Sequence, residues 1–84
     1  MPIEFSDHAL ARMIERGATK EEIEETIELG SQESLPNGRS LFRKSFDYHR
    51  EWNGKYYRLK HLEVRAAYSH PNWVIITVIV KYSI

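Results

Sequence analysis

Three basic side chains at helical spacing are the first candidates for chemistry in this chain of 84 residues. His8, Arg12 and Arg16 lie four residues apart, so on an α-helix they form a row along one face. Arginine binds phosphate groups, and histidine exchanges protons near neutral pH. The spacing predicts a catalytic or phosphate-binding row. The simpler alternative is a solvated helix face on which Glu15 pairs with the arginines.

Basic residues in the C-terminal half alternate with aromatic ones, which is typical of RNA-binding surfaces. Cations bind phosphates, whereas rings stack on unpaired bases. Most rings must fill the core of so small a domain, and we expect Trp52 and Tyr56, near a predicted hairpin tip, to remain free. Arg65 is predicted to contact a phosphate in catalysis. The predicted RNA-binding cations are Arg43, Arg58, Lys60 and Lys81.

His61 is a second candidate for proton transfer. Asn53-Gly54 is a two-residue hairpin signal, because both central positions of a type I′ turn need a positive φ. Pairing across this turn would set His61 opposite Phe46, which we expect in the core. His61 would then be partly buried and oriented, as a general base would be, or it would be a hydrogen-bonded structural histidine.

Two helices are predicted to carry the first part of the chain. Ser6 is a suitable N-cap and Gly17 a suitable C′ residue for an amphipathic helix between them. Thr19 and Glu22 have the spacing of a capping box, which predicts a second helix from about Lys20 to Leu29. Its five glutamates indicate a solvated face or a binding surface.

Strand-like sequence follows a segment rich in turn residues, 31–40. The apolar phase changes near Lys60-His61, which predicts a β-bulge or a short break there. In the last strand, the residues expected to face the core are Val74, Ile76, Val78, Val80 and Tyr82. The predicted architecture is a single α+β domain, 1–84, in which two N-terminal helices pack on a twisted antiparallel sheet of three to four strands.

Composition excludes several classes of site. The chain has no cysteine, so thiolate metal sites and cysteine nucleophiles are absent, and its four histidines fit no metal-ligand spacing. We expect no cofactor and no metal. No apolar run has the length of a membrane span and the N-terminus lacks a signal-peptide pattern, so we expect a cytoplasmic protein without membrane contacts.

Formal charge sums to zero but is segregated along the chain. Residues 1–34 contain nine acids and three bases, whereas residues 35–84 contain three acids and nine bases. This asymmetry favours either a basic surface for an anionic partner or mutual attraction of the two halves within the fold.

The first helix also resembles that of a bacterial and archaeal family of small domains of unknown function. Members begin with a serine, a His-Ala pair and an Arg-Met-x-x-Arg-Gly helix. The matching residues here are Ser6, His8, Ala9, Arg12, Met13, Arg16 and Gly17. That family is related to the barnase, EndoU, colicin and RelE-like nuclease toxins. The resemblance implies a fold of that type and a metal-independent ribonuclease, with His8, Arg12 and Arg16 in its site.

Two functions follow as expectations. The first is a toxin-like RNA endonuclease of a toxin–antitoxin system, with a cognate antitoxin or immunity protein as partner. The second is a non-catalytic protein-binding module that uses the acidic second helix or a sheet edge. A homodimer is compatible with either function. One cleft shared by the helix row, His8, Arg12 and Arg16, and the basic residues of the sheet would favour catalysis, whereas opposite faces would not.

Overall fold

The computed structural model describes residues 2–84. Seven elements follow one another with short connections. They are β1 (Ile3–Phe5), α1 (Asp7–Arg16), α2 (Lys20–Leu29), β2 (Ser31–Leu35), β3 (Arg39–Trp52), β4 (Lys55–Ser69) and β5 (Asn72–Ser83).

Both helices begin and end where the sequence predicts. The Ser6 hydroxyl accepts a hydrogen bond from the Ala9 amide at 3.0 Å, and Gly17 ends α1 with φ of 78°. In α2 the capping box is complete. The Glu22 amide donates to the Thr19 hydroxyl at 3.1 Å, and the Thr19 amide donates to the Glu22 carboxylate at 2.9 Å. Local side-chain hydrogen bonds thus determine where both helices start.

The sheet differs from the prediction. It has five strands in the order β1-β5-β4-β3-β2, and β1 runs parallel to β5 while the other pairs are antiparallel. The predicted antiparallel sheet of three to four strands is therefore wrong. β1 is too short for an alternating pattern, and β2 consists of turn-type polar residues. Each becomes a strand because a longer neighbour supplies its ladder of hydrogen bonds.

A bulge in β3 changes the register on which the His61 prediction depended. Trp52 pairs with Lys55 as expected, but the ladder shifts between Asp47 and Arg50. His49 lies within this irregularity with φ of 50°. The extra residue sets Ser45, not Phe46, opposite His61. A shift of one residue exchanges the two faces of a strand, so the predicted pairing and the predicted bulge at Lys60-His61 are both wrong.

A second irregularity changes which side chains of β5 point into the core. The ladder shifts between Arg65 and Ala66, which leaves Ile76 without a register partner on β4. In consequence Ile75 and Val78 are the fully buried residues of this strand. Regular alternation had predicted that Ile76 and Val78 would face the core together.

The core lies between the two helices and one face of the sheet. Ala9 and Met13 of α1 and Ile23 of α2 belong to the same buried cluster as Leu62 and Val64 of β4. Because successive side chains of a strand point to opposite faces, the odd-numbered residues of this part of β4 point to the face without helices. Each helix has ten residues, and neither is long and apolar enough to cross a membrane within the described range 2–84.

Candidate functional site

The face of the sheet opposite the helices gathers several of the predicted site residues, and we call it the open face. It is centred on His61, Glu63 and Arg65 of β4. The register adds neighbours from both sides, which are Ser45, Arg43 and Leu41 on β3 and Lys81, Ile79 and Thr77 on β5. Directly paired residues on one face have Cβ atoms about 5 Å apart, so these side chains form one continuous surface.

His61 is hydrogen-bonded at both ring nitrogens. Its Nδ1 lies 2.7 Å from the hydroxyl oxygen of Ser45, and its Nε2 lies 2.8 Å from that of Ser83. A hydroxyl both donates and accepts, so neutral imidazole is satisfied in either tautomer and imidazolium can donate to both serines. The ring is therefore held in one orientation across three strands in both of its protonation states.

Ion pairs run across the open face beside this histidine. Glu63 forms ion pairs with Lys81, at 3.2 Å from its Nζ, and with Arg43, at 3.7 Å from its guanidinium. Arg43 also lies 3.3 Å from the carboxylate of Glu33 on β2. Arg65 is exposed two residues further along β4. The open face thus carries three cations, two of which share one carboxylate.

The row on α1 lies on the other side of the molecule. His8 is exposed in the first turn, and Arg12 forms an ion pair with Glu15. Arg16 donates from its guanidinium to the backbone oxygen of Val78 at 2.6 Å. Since α1 packs on the core face of the sheet, these residues do not share a cleft with the open face. The structure does not bring the predicted catalytic set together.

Lys60 is removed from the predicted RNA-binding set by burial, because its side chain is only 2% exposed. Its Nζ donates to the backbone oxygen of Gly17 at 2.5 Å and to the carboxylate of Glu22 at 2.8 Å. The same Nζ lies over the rings of Tyr48 and Tyr82, at 5.4 and 5.9 Å from their centroids. Lys60 points to the core face because β4 alternates regularly and Lys60 is in phase with Leu62 and Val64, and the bulge in β3 sets Phe46 opposite it.

Tyr82 has a clearly displaced pKa. Burial raises the pKa of Tyr82 to about 12, with smaller electrostatic contributions from Tyr48 and Glu22 in the same direction. Its hydroxyl donates to the backbone oxygen of Arg16 at 2.8 Å. Tyr82 is therefore a neutral hydrogen-bond donor that joins β5 to the end of α1.

The hairpin tip holds one free ring of the two expected. Trp52 stacks on Tyr82, with centroids 5.4 Å apart and planes inclined by 17°, so it belongs to the packing. Tyr56 is 52% exposed, as expected. Arg58 is exposed near the irregularity of β3.

Sequence reasoning missed the two serines and Glu63. Ser45 and Ser83 carry no pattern that marks them as partners of a histidine. The pairing of Ser45 with His61 depends on the residue that β3 inserts near His49, a position whose sequence contains no glycine or proline to signal it. In the part of the chain that the structure describes, no group of three or more His, Asp or Glu side chains is arranged to hold a metal ion.

Comparison with known proteins gives a family and no characterised relative. The family described as "Domain of unknown function (DUF4258)" matches residues 5–80. The match runs from the last residue of β1 into β5 and includes the open face up to Val80. Among curated proteins and among solved structures, none gives a significant match.

Proposed function

The chain belongs to the DUF4258 family, and we propose that it is a metal-independent RNA endonuclease whose site is the open face, with His61 as the proton-transfer group. The observation that carries the proposal is the pair of serine hydroxyls, 2.7 and 2.8 Å from the two nitrogens of His61. Orientation by neighbouring groups is what a general base requires. The resemblance of α1 to relatives of nuclease toxins supports the same reaction class, but the residues that carry it lie outside the open face.

The proposed reaction is transesterification within RNA. A ribose 2′-hydroxyl would replace one of the two serine hydroxyls at a ring nitrogen of His61. His61 then takes its proton, and the 2′-oxygen attacks the adjacent phosphorus while the bond to the 5′-oxygen breaks. Lys81, the register partner of His61, would stabilise the charge that develops on that phosphate and protonate the leaving oxygen. Arg65 lies four residues along β4, about 13 Å away, and would hold a neighbouring phosphate.

Shape and charge favour a polymer as the substrate. No enclosed pocket is found among residues 2–84, whereas small-molecule sites are usually concave. A surface of exposed hydroxyls and cations across three strands can instead contact several nucleotides of a single strand. Because Glu63 holds both Arg43 and Lys81, RNA phosphates must compete with this carboxylate, and we expect weak binding at physiological salt.

The acidic helix provides less support for the alternative function of a protein-binding module. Two of its five glutamates have partners within the fold, since Glu22 binds Lys60 and Glu25 lies 3.0 Å from Lys44. These pairs join α2 to the sheet. The glutamates therefore serve in part to hold the fold together.

The test separates binding from cleavage with a single-stranded RNA labelled at one end. We expect His61→Ala to abolish cleavage while leaving RNA affinity within about twofold, because the ring contributes chemistry and not charge. Glu63→Gln is expected to tighten binding several-fold, because it frees Arg43 and Lys81. Arg65→Ala should weaken binding and reduce its salt dependence by about one phosphate contact.

Two controls make the outcome decisive. Lys55→Ala, at the hairpin tip, removes one exposed cation outside the open face and should change neither binding nor cleavage. Arg12→Ala tests the row on α1. Loss of cleavage in Arg12→Ala with full activity in His61→Ala would contradict the assignment, as would an absence of RNA binding by the unaltered protein at low salt.

A further inference from the structure

The two edges of the sheet are protected very differently. On one side, β1 has only three residues and pairs with Trp73–Ile75 of β5. Beyond it the free edge of β5 lies against α1, and the Val78 oxygen accepts a hydrogen bond from Arg16. Proteins block edge strands in these ways, with short strands, packed helices and cationic side chains. This edge is therefore closed to a further strand.

On the other side, β2 is open. Among the described strands its only neighbour is β3, and four of its five residues are exposed. The segment SQESL contains no proline and no lysine, the residues that most often prevent an edge from pairing. Alternate backbone N–H and C=O groups of such an edge point away from the sheet and can pair with an added strand.

The surroundings of β2 are acidic and partly apolar. Glu33, in the middle of the strand, has 59% of its side chain exposed and already lies 3.3 Å from Arg43 of β3, so an incoming cation would share its carboxylate with Arg43. At the end of α2, separated from β2 by Gly30 alone, Glu28 is exposed and Leu29 is 71% exposed. An added strand would therefore meet a carboxylate on one face and a leucine near its end.

We propose that β2 is a docking site for an extended segment of a partner protein in which cationic and apolar residues alternate. A lysine or arginine opposite Glu33 gains a cross-strand ion pair, and an apolar residue near Leu29 removes that side chain from water. A second copy of this chain fits less well. The antiparallel pairing that uses all five residues would set Glu33 against its own counterpart, and like charges directly opposite destabilise a strand pair.

The probe is a capped nine-residue peptide that alternates lysine and valine, compared with a peptide of equal charge in which the two central valines are proline. We expect the first to bind at least about tenfold more tightly, because proline cannot pair along the edge. Hydrogen exchange should show new protection of those alternate amides of residues 31–35 that point away from β3 when this peptide is bound.

Variants test the edge without altering its backbone. Glu33→Lys should weaken binding of the lysine–valine peptide at least about tenfold, and Leu29→Ser should weaken it several-fold. The matched control is Glu4→Lys on β1, at the closed edge, which should leave affinity within about twofold. Circular dichroism and thermal unfolding verify that each variant is folded.

Three results would overturn the proposal. Equal affinity for the two peptides would mean that charge alone attracts them to α2. Equal loss of binding in Glu4→Lys and Glu33→Lys would show that no particular edge is used. Sedimentation that reveals a stable dimer, with protection of residues 31–35 before peptide is added, would show that a second copy occupies the edge.

Discussion

Lys60 shows how a single buried charge ties a helix pair to a sheet. Its ammonium group has a backbone oxygen, a carboxylate and two aromatic faces around it, and no unsatisfied polar side-chain atom is buried in the described part of the chain. Glu22 uses the same carboxylate to complete the capping box of α2. One lysine thus holds the end of α1 and the start of α2 against β4.

Removing this charge should be costly. We expect Lys60→Met, which preserves most of the aliphatic volume, to lower the free energy of unfolding by about 3 kcal/mol, because the carbonyl of Gly17 and the carboxylate of Glu22 lose their partner. Urea denaturation measures the change. Lys55→Met at the exposed hairpin tip is the control and should stay within about 0.5 kcal/mol. An equally small effect of Lys60→Met would contradict the role assigned to it.

The raised pKa of Tyr82 predicts that the stability of the folded protein decreases at alkaline pH. Its pKa is raised from 10.0 to about 12 in the folded protein, so between these values the unfolded chain releases the phenolic proton and the folded protein retains it. Its contribution to stability is therefore complete below pH 10 and is lost as the pH rises toward 12.

The measurement compares the protein with Tyr82→Phe across pH 8 to 12. At pH 8 the variant should be less stable by about 1 kcal/mol, because it lacks the hydrogen bond to Arg16. This difference should shrink and then reverse above pH 10. A difference independent of pH would contradict the displaced pKa.

At the scale of elements, Gly17 at the junction of α1 with α2 meets two requirements, one from the local backbone conformation and one from tertiary packing. Gly17 adopts φ of 78°, which ends the helix, and it also lies against aromatic side chains. A Cβ atom at this position would come within 2.7 Å of the Trp52 ring and 2.8 Å of the Tyr82 hydroxyl. Because Trp52 is stacked on Tyr82, neither can move away freely.

Two glycine variants separate these requirements. Gly54→Ala, at φ of 83° with open space around it, should lower stability by about 1 kcal/mol through backbone conformation alone. Gly17→Ala carries the same backbone cost and an added steric one, so we expect about 3 kcal/mol in total. Thermal unfolding of both variants gives the comparison. Equal losses would mean that the aromatic packing yields without cost.

At the scale of the whole molecule, the segregated charges meet inside the fold. The acidic first part of the chain contributes Glu22 and Glu25, and the basic second part contributes Lys60 and Lys44, in contacts of 2.8 and 3.0 Å. Mutual attraction between the two halves therefore explains part of the asymmetry, and the remaining exposed cations of the open face are the part available to an anionic ligand.

Salt should weaken this attraction. We expect the free energy of unfolding to fall by about 1 kcal/mol as NaCl rises from low to about 0.5 M, because the distance over which charges attract one another shortens as ionic strength rises. The double variant Glu25→Gln/Lys44→Met should respond less. Stability that increases with salt would show that repulsion within each half outweighs attraction between them.

The sequence alone determined both helices, the Asn53-Gly54 hairpin, and the absence of cysteine chemistry. These depend on interactions between neighbours in the chain, such as the Thr19–Glu22 capping box. Only the tertiary structure decided which strands form the sheet and which face each side chain occupies. β2 is a strand because β3 lies beside it. A single inserted residue near His49 sets Phe46 opposite Lys60 on the core face and Ser45 opposite His61 on the open face. Successive side chains of a strand point to alternate faces of the sheet, so one inserted residue reverses the face of every residue beyond it. Nothing in the sequence marks this insertion.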